Sequence, residues 1–115
     1  MSRNTALYIK DILKHMDRAQ NYTTGHDLKS FRSNDMVCDA VIRCIEVIGE
    51  ATKNIPTDIR DKYQSIPWRD MAGMRDKVIH GYYLVDLEMV WLVVTEDIPI
   101  LKPKIKNILE DIEHS

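Results

Sequence analysis

The sequence is poor in the residues that mark disulfide-rich, metal-binding or irregular proteins. It has two cysteines, four glycines and four prolines among 115 residues. Cys38 and Cys44 stand six positions apart in a helical pattern, which puts them on different faces, and no C-x-x-C pair occurs. We therefore expect two reduced packing residues in a cytoplasmic protein, and neither a disulfide nor a zinc site.

Long apolar runs and a strong charge excess are also missing. The formal net charge is −2, which argues against coating nucleic acid through bulk charge but leaves a local basic site open. Arg3, Lys10 and Asp11 interrupt the N-terminal region, so we expect no signal peptide. The longest apolar run, residues 89–94, is too short to span a bilayer. These features predict a cytoplasmic protein outside the membrane.

What the sequence does contain is helical periodicity along nearly its whole length. Apolar residues recur at spacings of three and four, and strand-like alternation is not evident. The pattern predicts a single domain over residues 1–115, an all-α bundle of four to five main helices. The helices are predicted over residues 4–22, 27–31, 34–54, 57–63, 68–79 and 87–112. Asn34 and Asp86 are the predicted N-caps of the two clearest helices, and Gly81 is the predicted stop of the helix before the last.

The last helix carries two prolines inside a continuous apolar seam. Pro99 and Pro103 each remove a hydrogen bond and crowd the preceding turn. Because the seam keeps its phase through both, we predict one long bent helix, with two helices broken near Pro99 as the alternative.

Residues 89–94 of this helix are apolar on every face. A helix of this kind is buried on more than one side, and a chain of this size has few helices to cover it. A second copy related by a twofold axis is the economical cover, so we predict a homodimer. A tightly packed monomer core is the alternative.

The segment MRDKVIHGYY, residues 74–83, combines a basic and a histidine side chain near a predicted helix end. Arginine can hold a phosphate by two hydrogen bonds, and histidine can move a proton at neutral pH. Asp76, one turn before His80, is a candidate to orient the imidazole. On a regular helix Arg75 and His80 lie about 140° apart, so the pair requires either a helix that opens at Gly81 or a partner chain. Capping and packing are the ordinary roles for such residues.

The four histidines show no metal-ligand spacing such as H-x-x-x-H, and no phosphate-binding glycine loop occurs. We therefore expect neither a metal nor a cofactor.

Arg75-x4-His80-x-Tyr82 resembles the R-x4-H-x-Y motif of the HepT-like family, formerly called DUF86, within the HEPN superfamily. Other stretches are similar to the family in the same order along the chain. They are residues 40–43, 46 and 48–51, residues 66–69 and 72–75, and residues 85–87, 90–91 and 94–99. The likeness therefore covers nearly the whole sequence. One departure is Asp76, where many relatives carry Asn.

The resemblance implies a HEPN-like helical bundle that dimerises and brings two motifs to a shared cleft. It implies a metal-independent endoribonuclease with Arg75 and His80 as the catalytic pair, acting as the toxin of a type VII toxin–antitoxin system. The implied partner is an MntA-like minimal nucleotidyltransferase antitoxin, which transfers AMP from ATP to Tyr82. The bulk and negative charge of AMP would then oppose RNA phosphate at the cleft.

Arg43, Glu50, Arg69 and Asp76 are secondary candidates for RNA binding or support. Arg43, Glu46 and Glu50 follow one polar stripe of the second long helix. The stripe is either a cleft wall that holds phosphate or positions the catalytic arginine, or a solvated ion pair. A second function also stays open: a non-catalytic helical dimer that binds nucleotide or RNA and partners a nucleotidyltransferase.

Overall fold

The computed structural model describes residues 3–81 and 84–114. Within them the regular structure is helical apart from one small hairpin, and short turns and loops connect the elements. The elements in order are α1 (Arg3–Thr23), α2 (Leu28–Arg32), α3 (Asp35–Lys53), α4 (Thr57–Lys62), α5 (Trp68–Ala72), α6 (Met74–Val78), β1 (Ile79–His80), β2 (Leu84–Val85), α7 (Leu87–Leu92), a π-helical turn (Val93–Asp97) and α8 (Ile98–Glu113). The all-α class predicted from the sequence is confirmed.

The core lies where the long helices α1, α3 and α8 meet. α1 packs along α3 and α8, and the apolar positions that gave its periodicity, among them Ile9, Ile12 and Met16, have no exposed surface. The same holds for Val41, Ile45 and Ile48 of α3. Burying such side chains stabilises the fold by about 1.5–3 kcal/mol each.

The predicted helix starts are confirmed at both caps. The side-chain oxygen of Asn34 accepts a hydrogen bond from the Val37 N–H at 3.1 Å, and that of Asp86 accepts from the Met89 N–H at 3.0 Å. Each bond satisfies one of the N–H groups that a helix leaves unpaired in its first turn. Arg60 provides hydrogen-bond donors at the C-terminal end of α3. Its guanidinium donates to the carbonyl oxygens of Thr52 and Ile55 at 2.9 and 3.1 Å.

Both cysteines are packing residues in the core, and the described chain holds them as free thiols. Burial raises the pKa of the Cys38 thiol and of the Cys44 thiol. The Cys38 Sγ donates to the Phe31 carbonyl oxygen at 3.1 Å. Protonated, buried thiols are poor nucleophiles, in agreement with the prediction from the sequence.

The last helix continues from Leu87 to Glu113 without a break, as the uninterrupted seam predicted. A π-helical turn at Val93–Asp97 ends two residues before Pro99, which stands in the first turn of α8. A proline ring clashes with the carbonyl four residues earlier, here that of Thr95. The wider turn gives the ring room.

Residues 89–94 are divided between core and partial exposure. Val90, Val93 and Val94 are buried, whereas Met89, Trp91 and Leu92 are half-buried. The Trp91 ring contacts that of Phe31, with centroids 5.3 Å apart. This helix therefore packs against α2 on one side and leaves part of its apolar surface exposed to solvent.

The sequence prediction of one helix over residues 68–79 was wrong. α5 ends at Ala72, Gly73 separates it from α6, and α6 ends at Val78. Ile79 and His80 are extended and pair with Val85 and Leu84 in an antiparallel hairpin. The hairpin is closed by the Asp86 N–H, which donates to the Val78 carbonyl oxygen at 2.8 Å. Gly81 follows β1 directly and has a φ of +78°, a backbone conformation that glycine adopts readily. It therefore belongs to the hairpin and does not end a helix.

Gly49 brings α3 against the end of α5. A Cβ atom at this position would lie 3.3 Å from the Ala72 carbonyl oxygen and 3.7 Å from that of Met71. The two backbones therefore approach as closely as they do because residue 49 has no side chain. This contact fixes the start of α6 relative to α3.

Among the described helices, none combines the length and the apolar character needed to cross a membrane.

Candidate functional site

Arg75 lies on α6 with its side chain half exposed and directed toward α3. Its Nε is 3.7 Å from an Oε of Glu46, which is 34% exposed, and its Nη1 is 3.6 Å from an Oδ of Asp76. Ion pairs this open contribute about 0–1 kcal/mol to stability. Their effect is on the direction of the guanidinium, which is held on the Glu46 side and keeps donors available toward solvent.

His80 is exposed on β1, opposite Leu84 in the hairpin. Because the chain is extended here, the helical spacing that was expected to bring Asp76 beneath His80 does not apply. Within the described residues Asp76 pairs with Arg75, and no hydrogen bond or ion pair joins it to His80. The described contact of Asp76 is thus with Arg75, and α6 ends at Val78, before His80.

The helix does open between Arg75 and His80, as one of the two sequence alternatives required. It opens at Val78, three residues earlier than the expected Gly81. Arg75 therefore lies on a helix and His80 on a strand. Tyr82 falls outside the described residues.

Arg43 and Glu50 are not among the described residues that pair with Arg75. They line a shallow groove of about 290 Å³ with Tyr8 and Asp11 of α1. Glu50 also forms an exposed ion pair with Lys53 at 3.1 Å, a residue outside the stripe of Arg43, Glu46 and Glu50. Of the polar stripe on α3, Glu46 is the residue that contacts Arg75. The sequence placed Glu46 in the stripe, but periodicity alone did not single it out.

Arg69 lines a larger groove of about 710 Å³ on the other side of α6. Its walls come from α5, α6, the π-helical turn and α8. The lining residues are Pro67, Arg69, Asp70, Met71, Gly73, Met74, Asp76, Lys77, Asp97, Ile100 and Leu101. Lys77 and Asp97 pair across it at 3.4 Å. The sequence gave no sign of this groove, because residues 20 positions apart meet only after the chain folds.

No three His, Cys, Asp or Glu side chains of residues 3–81 and 84–114 are arranged to hold a metal ion.

The family model described as "Ribonuclease HepT-like" matches residues 12–108. A protein of Methanocaldococcus jannaschii named "Putative RNase" is 46% identical over 111 residues, which are 96% of each chain. A "Probable ribonuclease HepT" of Thermococcus cleftensis is 42% identical over 108 residues, covering 94% of this chain and 98% of its own.

A bacterial relative, a "Putative RNase" of Caldanaerobacter subterraneus, is 35% identical over 103 residues, or 90% of this chain and 92% of its own. No solved structure gives a significant match. The match of the family model to most of the chain, together with relatives of similar length, leads to one conclusion: this chain belongs to the HepT-like ribonuclease family.

Proposed function

We propose that the protein is a metal-independent endoribonuclease in which Arg75 and His80 are the catalytic residues. The observation that carries the proposal is the exposure of both side chains at one continuous α6–β1 segment, with the Arg75 guanidinium held by Glu46. Membership of the HepT-like ribonuclease family supports RNA as the substrate.

The reaction needs only groups that RNA and the two side chains supply. The 2′-oxygen attacks the adjacent phosphorus, the bond from phosphorus to the 5′-oxygen breaks, and a 2′,3′-cyclic phosphate and a 5′-hydroxyl form. An imidazole can take the proton from the 2′-hydroxyl or give one to the departing oxygen. Arg75 stabilises the charge that develops on the phosphoryl oxygens. No external nucleophile is required, so no metal is needed to activate water.

The direct test is cleavage of RNA by the purified full-length chain in the presence of EDTA. We expect internal cuts and fragments that end in 2′,3′-cyclic phosphate, detected by gel electrophoresis and by mass spectrometry of the ends. A preparation with the His80→Ala substitution, purified in parallel, controls for contaminating nucleases. Intact RNA, or equal cutting by both preparations, contradicts the proposal.

The active unit in this proposal is a homodimer. Met89, Trp91 and Leu92 stay half-buried in the single chain, which leaves apolar surface on the final helix for a second copy to cover. Multi-angle light scattering is expected to give twice the chain mass of 13.4 kDa. A monomer at the concentrations used for the cleavage assay would exclude a shared cleft.

The proposed biological role is that of the toxin in a type VII toxin–antitoxin system. Its control is AMP transfer to Tyr82 by an MntA-like nucleotidyltransferase: the tyrosine oxygen bonds to the α-phosphorus of ATP and pyrophosphate leaves. After co-expression with a nucleotidyltransferase encoded beside it, mass spectrometry should find AMP on Tyr82 and the cleavage activity should be lost. An inactivated protein with unmodified Tyr82 would remove this mechanism.

A further inference from the structure

The larger groove lies directly beside the motif helix. α6 presents Arg75 toward α3 and Lys77 toward the π-helical turn, and Asp76 stands between them. Asp76 both lines the groove and lies 3.6 Å from the Arg75 guanidinium. Anything that fills the groove at Asp76 is therefore adjacent to a phosphate held by Arg75.

The lining of the groove suits a flat ring with polar edges. Its volume of about 710 Å³ falls within the range of about 300–1,000 Å³ that is usual for small-molecule sites. Met71, Met74 and Leu101 form an apolar floor, and Ile100 stands at the wall. Apolar side chains and guanidinium planes such as that of Arg69 are surfaces on which unstacked nucleobases lie.

The charge of the groove disfavours a second phosphate. Asp70, Asp76 and Asp97 line it together with two cations, and one of these, Lys77, is already paired with Asp97. The Asp76 side chain is 84% exposed, and its contact with Arg75 is a long one. A carboxylate in this position accepts hydrogen bonds and therefore favours a group that presents N–H donors.

We infer that this groove is a subsite for a nucleobase next to the scissile phosphate, and that Asp76 selects bases that carry an exocyclic amino group. The inference rests on the proposed ribonuclease activity. Adenine and cytosine offer an amino group to a carboxylate, as Asp and Glu do accept from cytosine in nucleic-acid complexes. Uracil offers one N–H between two carbonyl oxygens, which repel a carboxylate.

The test uses 2′-O-methyl RNA, which lacks the 2′-hydroxyl and stays uncut, so binding is measured whether or not the protein cleaves RNA. Fluorescence anisotropy with the full-length chain compares decamers of adenosine, cytidine and uridine. We expect the first two to bind about tenfold more tightly than uridine, which corresponds to about 1.4 kcal/mol and is the size of effect that one matched base contact gives.

Asp76→Asn should reduce the difference in affinity between the adenosine or cytidine decamer and the uridine decamer to less than about threefold. The reason is that the asparagine amide can also donate a hydrogen bond to the uracil carbonyl oxygens. Asp61→Asn removes an exposed carboxylate on α4, outside the groove, and should leave the preference unchanged. Ile100→Glu should weaken all three decamers, and its exposed position makes it compatible with folding.

Equal binding of the three decamers, or a preference that Asp76→Asn leaves intact, overturns the inference. It is also overturned if Ile100→Glu reduces the mass in light scattering to that of one chain, since the groove is then an interface between copies. Cleavage of RNA without a base preference would count against the subsite alone. A preference without cleavage would count against the ribonuclease activity and leave the groove as a base-binding site.

Discussion

Replacing His80 by alanine is expected to reduce the rate of RNA cleavage by about 10²–10⁴-fold, the usual contribution of a general acid or base. The side chain is exposed on β1 and is not part of the core. Its removal should therefore leave the helical content and the unfolding midpoint close to those of the wild type. Initial rates on a fluorogenic RNA oligonucleotide, with circular dichroism on the same samples, separate these two effects.

The matched control for this variant is His114→Ala. His114 is also exposed, but it lies at the end of α8, where its backbone N–H donates to the Glu110 carbonyl oxygen at 3.1 Å. Cleavage by this variant should match the wild type. If His80→Ala keeps more than a tenth of the wild-type rate, proton transfer belongs to another group and the catalytic pair is wrongly assigned.

Replacing Phe31 by alanine is expected to lower the free energy of unfolding by about 3–5 kcal/mol, the range for deleting a fully buried phenylalanine. Phe31 has no exposed surface and its ring packs on Trp91. A loss of this size is a large part of the total of about 5–15 kcal/mol for a typical domain. It is also expected to loosen α2 from α7, because the aromatic contact joins them.

Urea denaturation measures this loss, at one fixed protein concentration because dimerisation adds to the apparent stability. Arg32→Ala is the control. It removes the neighbouring ion pair with Glu88, 3.3 Å long and exposed on both sides, and should cost at most about 1 kcal/mol. A Phe31→Ala protein that unfolds within 1 kcal/mol of the wild type would show that α2 does not depend on this contact.

The long helices could be predicted from the sequence because their signals are local. The apolar spacing of α1 and α3, and the caps at Asn34 and Asp86, depend on residues within one or two turns. The seam of the final helix also gave the correct continuity across Pro99. What the seam could not show is the π-helical turn, because apolar spacing indicates which residues are buried and not which carbonyl oxygen each N–H pairs with.

The position of the motif region could be predicted from the sequence, but its secondary structure could not. Residues 79 and 80 extend a helical pattern, yet pairing with β2 and the bond from Asp86 to Val78 make them a strand. That pairing joins residues across a turn, so tertiary structure overrides local preference here. The contact between Glu46 and Arg75, and the groove shared by Asp76 and Asp97, likewise arise from packing between distant segments.

The missing side chain at Gly49 has a consequence for how the protein tolerates substitution. Gly49 and Glu46 are one turn apart on α3, and the first touches the end of α5 while the second touches Arg75 on α6. A side chain at position 49 would crowd the carbonyl oxygens at the end of α5, and we expect the resulting shift of α5 and the adjoining α6 to lengthen the contact between Arg75 and Glu46. Gly49 lies outside both grooves described above, yet its missing side chain helps to set the position of the Arg75 guanidinium on the α3 side.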